Sequence, residues 1–125
     1  MASDGPKRRV LVVEDDHDTR NLLAMGLKRA GYDVSTAENG QVAMTKLETD
    51  TPDVLLLDLM MPQVDGVRLL RWVREVRKLT LPALIFSSSD LPELVAEVTA
   101  LGPTTFLVKP VRLPTLLETL EKIIT

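Results

Sequence analysis

The chain has 125 residues, a formal charge of −3 and a pI near 5.1, which suits one domain around a single core. An acidic balance argues against binding nucleic acid through a general electrostatic footprint. There is no cysteine, so neither a disulfide framework nor a thiolate metal site is open to it. No apolar run approaches the ~20 residues of a membrane span, and the polar start lacks the apolar stretch of a signal peptide. The expectation is a cytoplasmic protein with a flexible lead-in over residues 1–8 and one domain over 9–125. Aromatic residues make up only 3%, so the core must be aliphatic.

Residues 9–13 read as a first strand that runs straight into Glu14-Asp15-Asp16. Asp16 can cap a helix over 17–30, with Leu22, Leu23, Leu27 and Ala30 at helical spacing and Gly31 to end it. Residues 32–37 form a second strand. Asn39-Gly40 opens a helix whose Val42, Ala43 and Leu47 face inward. Pro52-Asp53 leads the third strand, Val54-Leu55-Leu56-Leu57, into Asp58. An apolar run this short, bounded by a polar residue and then Pro62, reads as a strand buried on both faces. Asp65-Gly66 precedes a helix carrying Val67, Leu69, Leu70, Val73 and Val76. A fourth strand, 83–86, ends in Ser87-Ser88-Ser89-Asp90. Pro92 suits the first turn of the next helix, which runs through Leu94, Val95, Val98 and Leu101 to Gly102. A fifth strand, 105–108, runs into Lys109-Pro110. The last helix carries Leu116, Leu117, Leu120, Ile123 and Ile124.

Five strand–helix units in a row predict an α/β fold, a doubly wound parallel sheet with helices on both faces. Ligands in such folds bind at the carboxyl ends of the strands, where Glu14, Asp15, Asp58, Ser87 and Lys109 lie. Three carboxylates cannot all stay ionised in one cleft without a cation, because each raises the pKa of the others. A hard divalent ion resolves this, and Mg²⁺ is content with a few oxygen ligands plus waters. No His or Cys accompanies the acids, which argues against zinc or copper. Lys109 and the Ser87 hydroxyl add donors suited to a phosphoryl group, whose transfer is mostly positioning and charge neutralisation. A carboxylate can itself be the nucleophile, giving an aspartyl phosphate. Asp58 is assigned as that nucleophile, and Glu14 and Asp15 as metal-site acids. Lys109 would pair first with Asp58 and then with the phosphoryl oxygens, to which Ser87 would also donate.

The sequence resembles the receiver domain of bacterial two-component response regulators over residues 9–124. The motifs are Val-Val-Glu-Asp-Asp (12–16), Leu-Leu-Leu-Asp-Leu-Met-Met-Pro-Gln-Val-Asp-Gly (55–66), Pro-Ala-Leu-Ile-Phe-Ser (82–87) and Phe-Leu-Val-Lys-Pro (106–110). In this order they are highly specific. The resemblance implies a flavodoxin-like five-stranded sheet of order 2-1-3-4-5 with five helices. It implies a signalling phosphoacceptor that promotes its own phosphorylation and dephosphorylation, not an enzyme acting on a separate substrate. The donor would be a sensor histidine kinase or phosphotransfer protein, as in a phosphorelay. Met60 would lend its backbone carbonyl to Mg²⁺. The Lys109–Pro110 peptide would be cis, and Gly66 would take a positive φ. Phosphorylation would draw Ser87 toward the phosphoryl group and turn Phe106 inward. That would change the face formed by the fourth helix, fifth strand and fifth helix, which would address an effector domain or protein, or a second copy. No direct contact with nucleic acid or membrane is expected. Stand-alone receivers, phosphorelay intermediates and receivers joined to DNA-binding or kinase domains all share these motifs, and the resemblance leaves them open.

The chain departs from the usual pattern at Ser88, Pro103, Val111 and Phe106, the last lacking a tyrosine hydroxyl. None of these removes a group the reaction needs. A haloacid-dehalogenase-type phosphatase would need a second acid two residues after Asp58, where Met60 stands. A flavodoxin-like nucleotide or flavin binder would need a Gly- or hydroxyl-rich loop after the first strand, where Glu14-Asp15-Asp16 would repel phosphate. A pseudo-receiver acting only through surface contacts is the remaining rival, and the intact acids, Ser87 and Lys109 argue against it. Among the plainer roles, Asp16 reads as a helix cap and His17 as a surface residue. Trp72 reads as partly buried packing, and Arg68, Arg71, Arg74, Arg77 and Lys78 as a solvated face.

Overall fold

The computed structural model describes residues 7–59, 66–88 and 92–124. Most of the expected lead-in, the Met60 carbonyl, Asp65, Ser89 and Asp90 lie outside those residues. Strands and helices alternate along the chain: β1 (Arg9–Val13), α1 (His17–Arg29), β2 (Asp33–Ala37), α2 (Gly40–Thr49), β3 (Val54–Asp58), α3 (Gly66–Arg71), β4 (Ala83–Ser87), α4 (Pro92–Thr99), β5 (Thr104–Val108) and α5 (Leu113–Ile124). The five strands pair in parallel in the order β2-β1-β3-β4-β5, as the sequence led us to expect.

Successive strand side chains point to opposite faces, so the sheet buries two layers. Leu11, Val13, Leu55, Leu57, Ala83 and Ile85 pack with Ala43 and Leu47 of α2, Leu69 and Leu70 of α3 and Val98 of α4. Val10, Val12, Val54, Leu56, Leu84 and Phe86 pack with Leu27 of α1 and Leu116 and Leu120 of α5. Every residue of β3 and β4 is buried, as continuous apolar runs demand of central parallel strands. The outer strands β2 and β5 are only partly covered.

Local chemistry sets the helix ends. The Asp16 carboxylate accepts the Thr19 N–H at 2.9 Å and the Thr19 hydroxyl at 2.7 Å, satisfying donors at the start of α1. Those two donors also lower the pKa of Asp16. Asn39 caps α2 by accepting the Val42 N–H at 2.9 Å. Gly31, with φ +100, closes α1 in the left-handed conformation that glycine permits.

Three expectations need correction. In α1 the buried line runs through Ala24 and Leu27 with Leu23 beside it, whereas Leu22 is 69% exposed and Ala30 is exposed. The third helix does not continue as an α-helix. After Arg71 it widens into a π-turn, Trp72–Val76, in which the Arg77 N–H reaches the Trp72 carbonyl five residues back. A wider turn breaks the 3.6-residue period, so Val73 stays buried while Val76 rotates out to 66% exposure. Trp72 is partly buried, as expected, with Arg77 over its ring at 5.8 Å.

The third correction concerns Arg74, which belongs to no solvated face. It is half-buried, and its guanidinium donates to the carbonyls of Leu79 at 2.9 Å, Leu81 at 2.6 Å and Pro103 at 2.8 Å. It thereby ties the segment after the π-turn to the entry of β5, and burial lowers its pKa. Arg74→Met keeps the apolar stem but removes the charged donor from three carbonyls. We expect a destabilisation of about 3 kcal/mol, read as a lower urea midpoint, with Arg74→Lys recovering only part of it.

Candidate functional site

The carboxyl ends of β1, β3, β4 and β5 meet at one edge of the sheet. Glu14 prolongs β1, its N–H donating to the Ala37 carbonyl at 3.1 Å. Asp58 closes β3 and Ser87 closes β4. Lys109 follows β5, and its N–H donates to the Ser87 carbonyl at 2.7 Å. Because β1 pairs with β2 on one side and β3 on the other, strand order reverses here, and a crevice opens at such a point.

Glu14 and Asp58 are each 1% exposed and Ser87 is fully buried, while Asp15 is exposed. One carboxylate oxygen from each of Glu14, Asp15 and Asp58 lies within 4.8 Å of the other two. Lys109 Nζ donates to Asp58 Oδ2 at 3.0 Å and stands 3.6 Å from Glu14 Oε1. It also lies over the Phe86 ring at 5.3 Å. Two buried carboxylates thus face the Lys109 ammonium. Burial pushes the Glu14 carboxyl up to about 7; the Asp16 N–H opposes the rise and the Asp58 charge adds to it. Burial also works against the Lys109 charge, but the hydrogen bond and charge of Asp58, then Glu14, prevail and raise its pKa.

These residues fit a hard divalent cation. Glu14 Oε1 is a buried oxygen with no hydrogen-bond partner, an expensive condition for a carboxylate. The donor set is all oxygen, and no described His or Cys joins the cluster. Glu14, Asp15 and Asp58 would hold the ion, the habit of Mg²⁺.

Around this centre the backbone is tightly tied. The Asp16 N–H donates to Glu14 Oε2 at 3.0 Å. Arg20, one turn into α1, donates through Nη1 to the carbonyls of Glu14 at 3.0 Å and Asp15 at 3.4 Å. Neither Arg20 nor Phe86 stands out in the sequence as a site residue. The available signal was a cation in the first turn of a helix, where the macrodipole disfavours it. The Lys109–Pro110 peptide is cis. Phe106 is partly buried against the α2, α3 and α4 side of the core. Gly66 opens α3, directly after residues that lie outside the described ones. A glycine is needed there for close approach: an added Cβ would lie 2.5 Å from the Leu59 Cα and 2.7 Å from the Asp58 carbonyl oxygen.

The response regulator receiver domain family matches residues 10–121. The chain belongs to that family. It is 40% identical over 121 residues to the transcriptional regulatory protein TrcR of Mycobacterium tuberculosis, covering 95% of this chain and 46% of TrcR. It is 40% identical over 83 residues to the alkaline phosphatase synthesis transcriptional regulatory protein PhoP of Bacillus subtilis, covering 66% of this chain and 34% of PhoP. The chain therefore spans half or less of the length of these curated relatives. Among solved structures, the chemotaxis protein CheY4 of Vibrio cholerae superposes with a TM-score of 0.88 at 34% identity, covering 94% of this chain and 99% of CheY4. A receiver protein from Pseudomonas putida also gives 0.88, at 31% identity, covering 95% and 99%. Receiver domains are signalling phosphoacceptors of two-component systems and bind Mg²⁺ at an acidic pocket. Among the described residues no helix is long and apolar enough to cross a membrane.

The raised Glu14 pKa makes the stability of this receiver depend on pH when no divalent ion is present. A carboxyl whose folded pKa lies above its unfolded value favours the folded state while it is protonated. That contribution is complete below the ordinary value of 4.5 and disappears as pH rises through about 7. At 1.36 kcal/mol per unit it amounts to about 3 kcal/mol. Urea unfolding in EDTA should show a fall of that order between pH 4 and pH 8, largely absent from Glu14→Gln. Parallel curves for the two proteins would contradict the assignment.

Proposed function

We propose that this domain accepts a phosphoryl group on Asp58 from a sensor histidine kinase or phosphotransfer protein, in a Mg²⁺-dependent reaction. The observation that carries this reading is the Lys109 Nζ–Asp58 Oδ2 pair at 3.0 Å inside a cluster of three carboxylates. An Asp58 carboxylate oxygen attacks phosphorus. The bond from phosphorus to the donor breaks, and its electron pair leaves with the donor. Lys109, hydrogen-bonded to Asp58, neutralises charge on the incoming phosphoryl oxygens, and Ser87, which closes β4, would donate its hydroxyl to them. Glu14, Asp15 and Asp58 would hold Mg²⁺, with the Met60 carbonyl that the family resemblance implies, and the ion would supply further charge neutralisation.

A charge of about −1.5 to −2 then appears at a buried sheet edge. Ser87 and Phe106 sit on β4 and β5, next to the α4-β5-α5 face. We read them as the element that carries the change to an effector domain or protein, or to a second copy. For the donor, α1 leaves Leu22 and Met25 exposed at 69% and 56%. A groove of about 430 Å³, lined by Thr19 and Leu23 of α1 together with Val111 and Lys109, reaches the site at Lys109. An apolar surface at the mouth of the site suits a helical phosphodonor. This chemistry belongs in the cytoplasm, with the same domain promoting both gain and hydrolysis of its phosphoryl group.

The test is to incubate the protein with acetyl phosphate, with Mg²⁺ or with EDTA, and weigh it intact. A single Mg²⁺-dependent phosphoryl adduct is expected. No adduct, together with no Mg²⁺ binding, would leave a pseudo-receiver working through surface contacts.

A further inference from the structure

We infer that Arg20 is a positioning residue for cation binding: its guanidinium fixes the backbone that carries Glu14 and Asp15. The inference rests on the Mg²⁺ site proposed above. Glu14 and Asp15 occupy the short turn between β1 and α1, and the direction of both carboxylates follows from the backbone there. In the ion-free protein these acids repel each other and Asp58, yet their oxygens stay within 4.8 Å. Lys109 offsets part of that repulsion for Glu14 and Asp58, and the backbone of the turn must withstand the rest.

Two ties come from the turn itself and from β2: the Glu14 N–H to the Ala37 carbonyl at 3.1 Å, and the Asp16 N–H to Glu14 Oε2 at 3.0 Å. The third comes from Arg20, which reaches back to the Glu14 carbonyl at 3.0 Å and the Asp15 carbonyl at 3.4 Å. One guanidinium nitrogen, Nη1, is thus shared between two consecutive peptide carbonyls, one on each acid. It grips the carbonyls rather than the carboxylates, so the carboxylate oxygens stay available to a cation. The placement also opposes the helix: a cation in the first turn of α1 faces the positive end of the macrodipole. Carbonyl capture gives that unfavourable position a reason. Residues that orient metal ligands without touching the metal typically change affinity by about 10–100-fold when removed.

The experiment compares wild type, Arg20→Met and Arg20→Lys. Mg²⁺ affinity is measured by calorimetry, the acetyl phosphate reaction across a Mg²⁺ titration, and amide exchange in EDTA. Arg20→Met should raise the Mg²⁺ Kd about tenfold and shift the Mg²⁺ requirement of phosphorylation equally. The rate at saturating Mg²⁺ should stay within about twofold. Exchange should quicken at residues 14–16 and not along β1. Arg20→Lys, which keeps a cation on a shorter side chain without the planar fork, should fall between. A Kd within about twofold of wild type overturns the inference. So does a raised Kd accompanied by faster exchange throughout β1 and α1, which is plain destabilisation. A wild-type protein that fails to bind Mg²⁺ overturns the proposed function itself, and this inference with it.

Discussion

Asp58→Asn should yield no phosphoryl adduct under conditions that fully label the wild type, yet remain folded. The amide keeps the shape of the carboxylate but loses the anionic oxygen that, on the proposed function, attacks phosphorus. Glu14 and Asp15 remain within a few ångströms, so intact mass after acetyl phosphate treatment is a strict test. An adduct that persists at wild-type level would place the reaction on another residue and sink the assignment. The fold should tolerate the change because the site carries excess negative charge. Wild type buries two carboxylates against the Lys109 ammonium, with a third at the surface. The variant removes one of them, and Lys109 still has Glu14 at 3.6 Å. The Asp58 charge is one cause of the raised Glu14 pKa, so Glu14 should titrate lower in the variant. Its urea midpoint in EDTA at pH 8 should correspond to wild-type stability within about 1 kcal/mol. Its Mg²⁺ affinity should fall, since one of the three carboxylates has become a weaker ligand.

What the sequence made legible has a common physical form. Asp58 and Lys109 follow apolar runs that hydrophobicity alone assigns to strands, and in a parallel sheet those runs end on the same edge. Position at a strand end therefore translates directly into position in space. Residues that act through the backbone leave no such trace. Arg20 and Arg74 look like ordinary helix surface cations, and only the folded chain brings the carbonyls of Glu14, Asp15, Leu79, Leu81 and Pro103 within their reach. Val76 departs from its predicted inward face for a different reason: periodicity presumes a constant 3.6-residue turn, and the π-turn at Trp72–Val76 breaks it. Leu22 satisfies the helical spacing but lies on the exposed side, since spacing alone does not say which of two adjacent leucines faces the sheet.

Gly66→Ala should be among the most damaging small substitutions in the domain, for a steric reason that helix propensity would hide. Alanine is favoured over glycine in a helix by about 1 kcal/mol, so a surface reading of α3 predicts stabilisation. The added Cβ, however, would lie 2.5 Å from the Leu59 Cα, 2.7 Å from the Asp58 carbonyl oxygen and 3.0 Å from a Leu59 methyl carbon. The first two are backbone atoms at the end of the central strand and cannot rotate aside. If α3 retreats, the Gly66 N–H loses the Leu59 carbonyl at 3.1 Å and the buried Leu69 and Leu70 lift from the core. If the strand end retreats instead, it takes Asp58 away from Lys109. Overpacking against rigid atoms should outweigh the propensity gain and cost about 3 kcal/mol net. The movement of Asp58 should slow adduct formation by more than about tenfold, because small misplacements of a reacting group are severe. Gly31→Ala is the matched control. It also alters one glycine, at φ +100, but nothing lies within 4 Å of the new Cβ, so only the left-handed strain of about 1 kcal/mol applies and phosphorylation should be unaffected. Urea midpoints and labelling rates for the pair separate the two causes. A Gly66→Ala protein as stable and as readily labelled as wild type would mean that the contact between α3 and the end of β3 is looser than these distances describe.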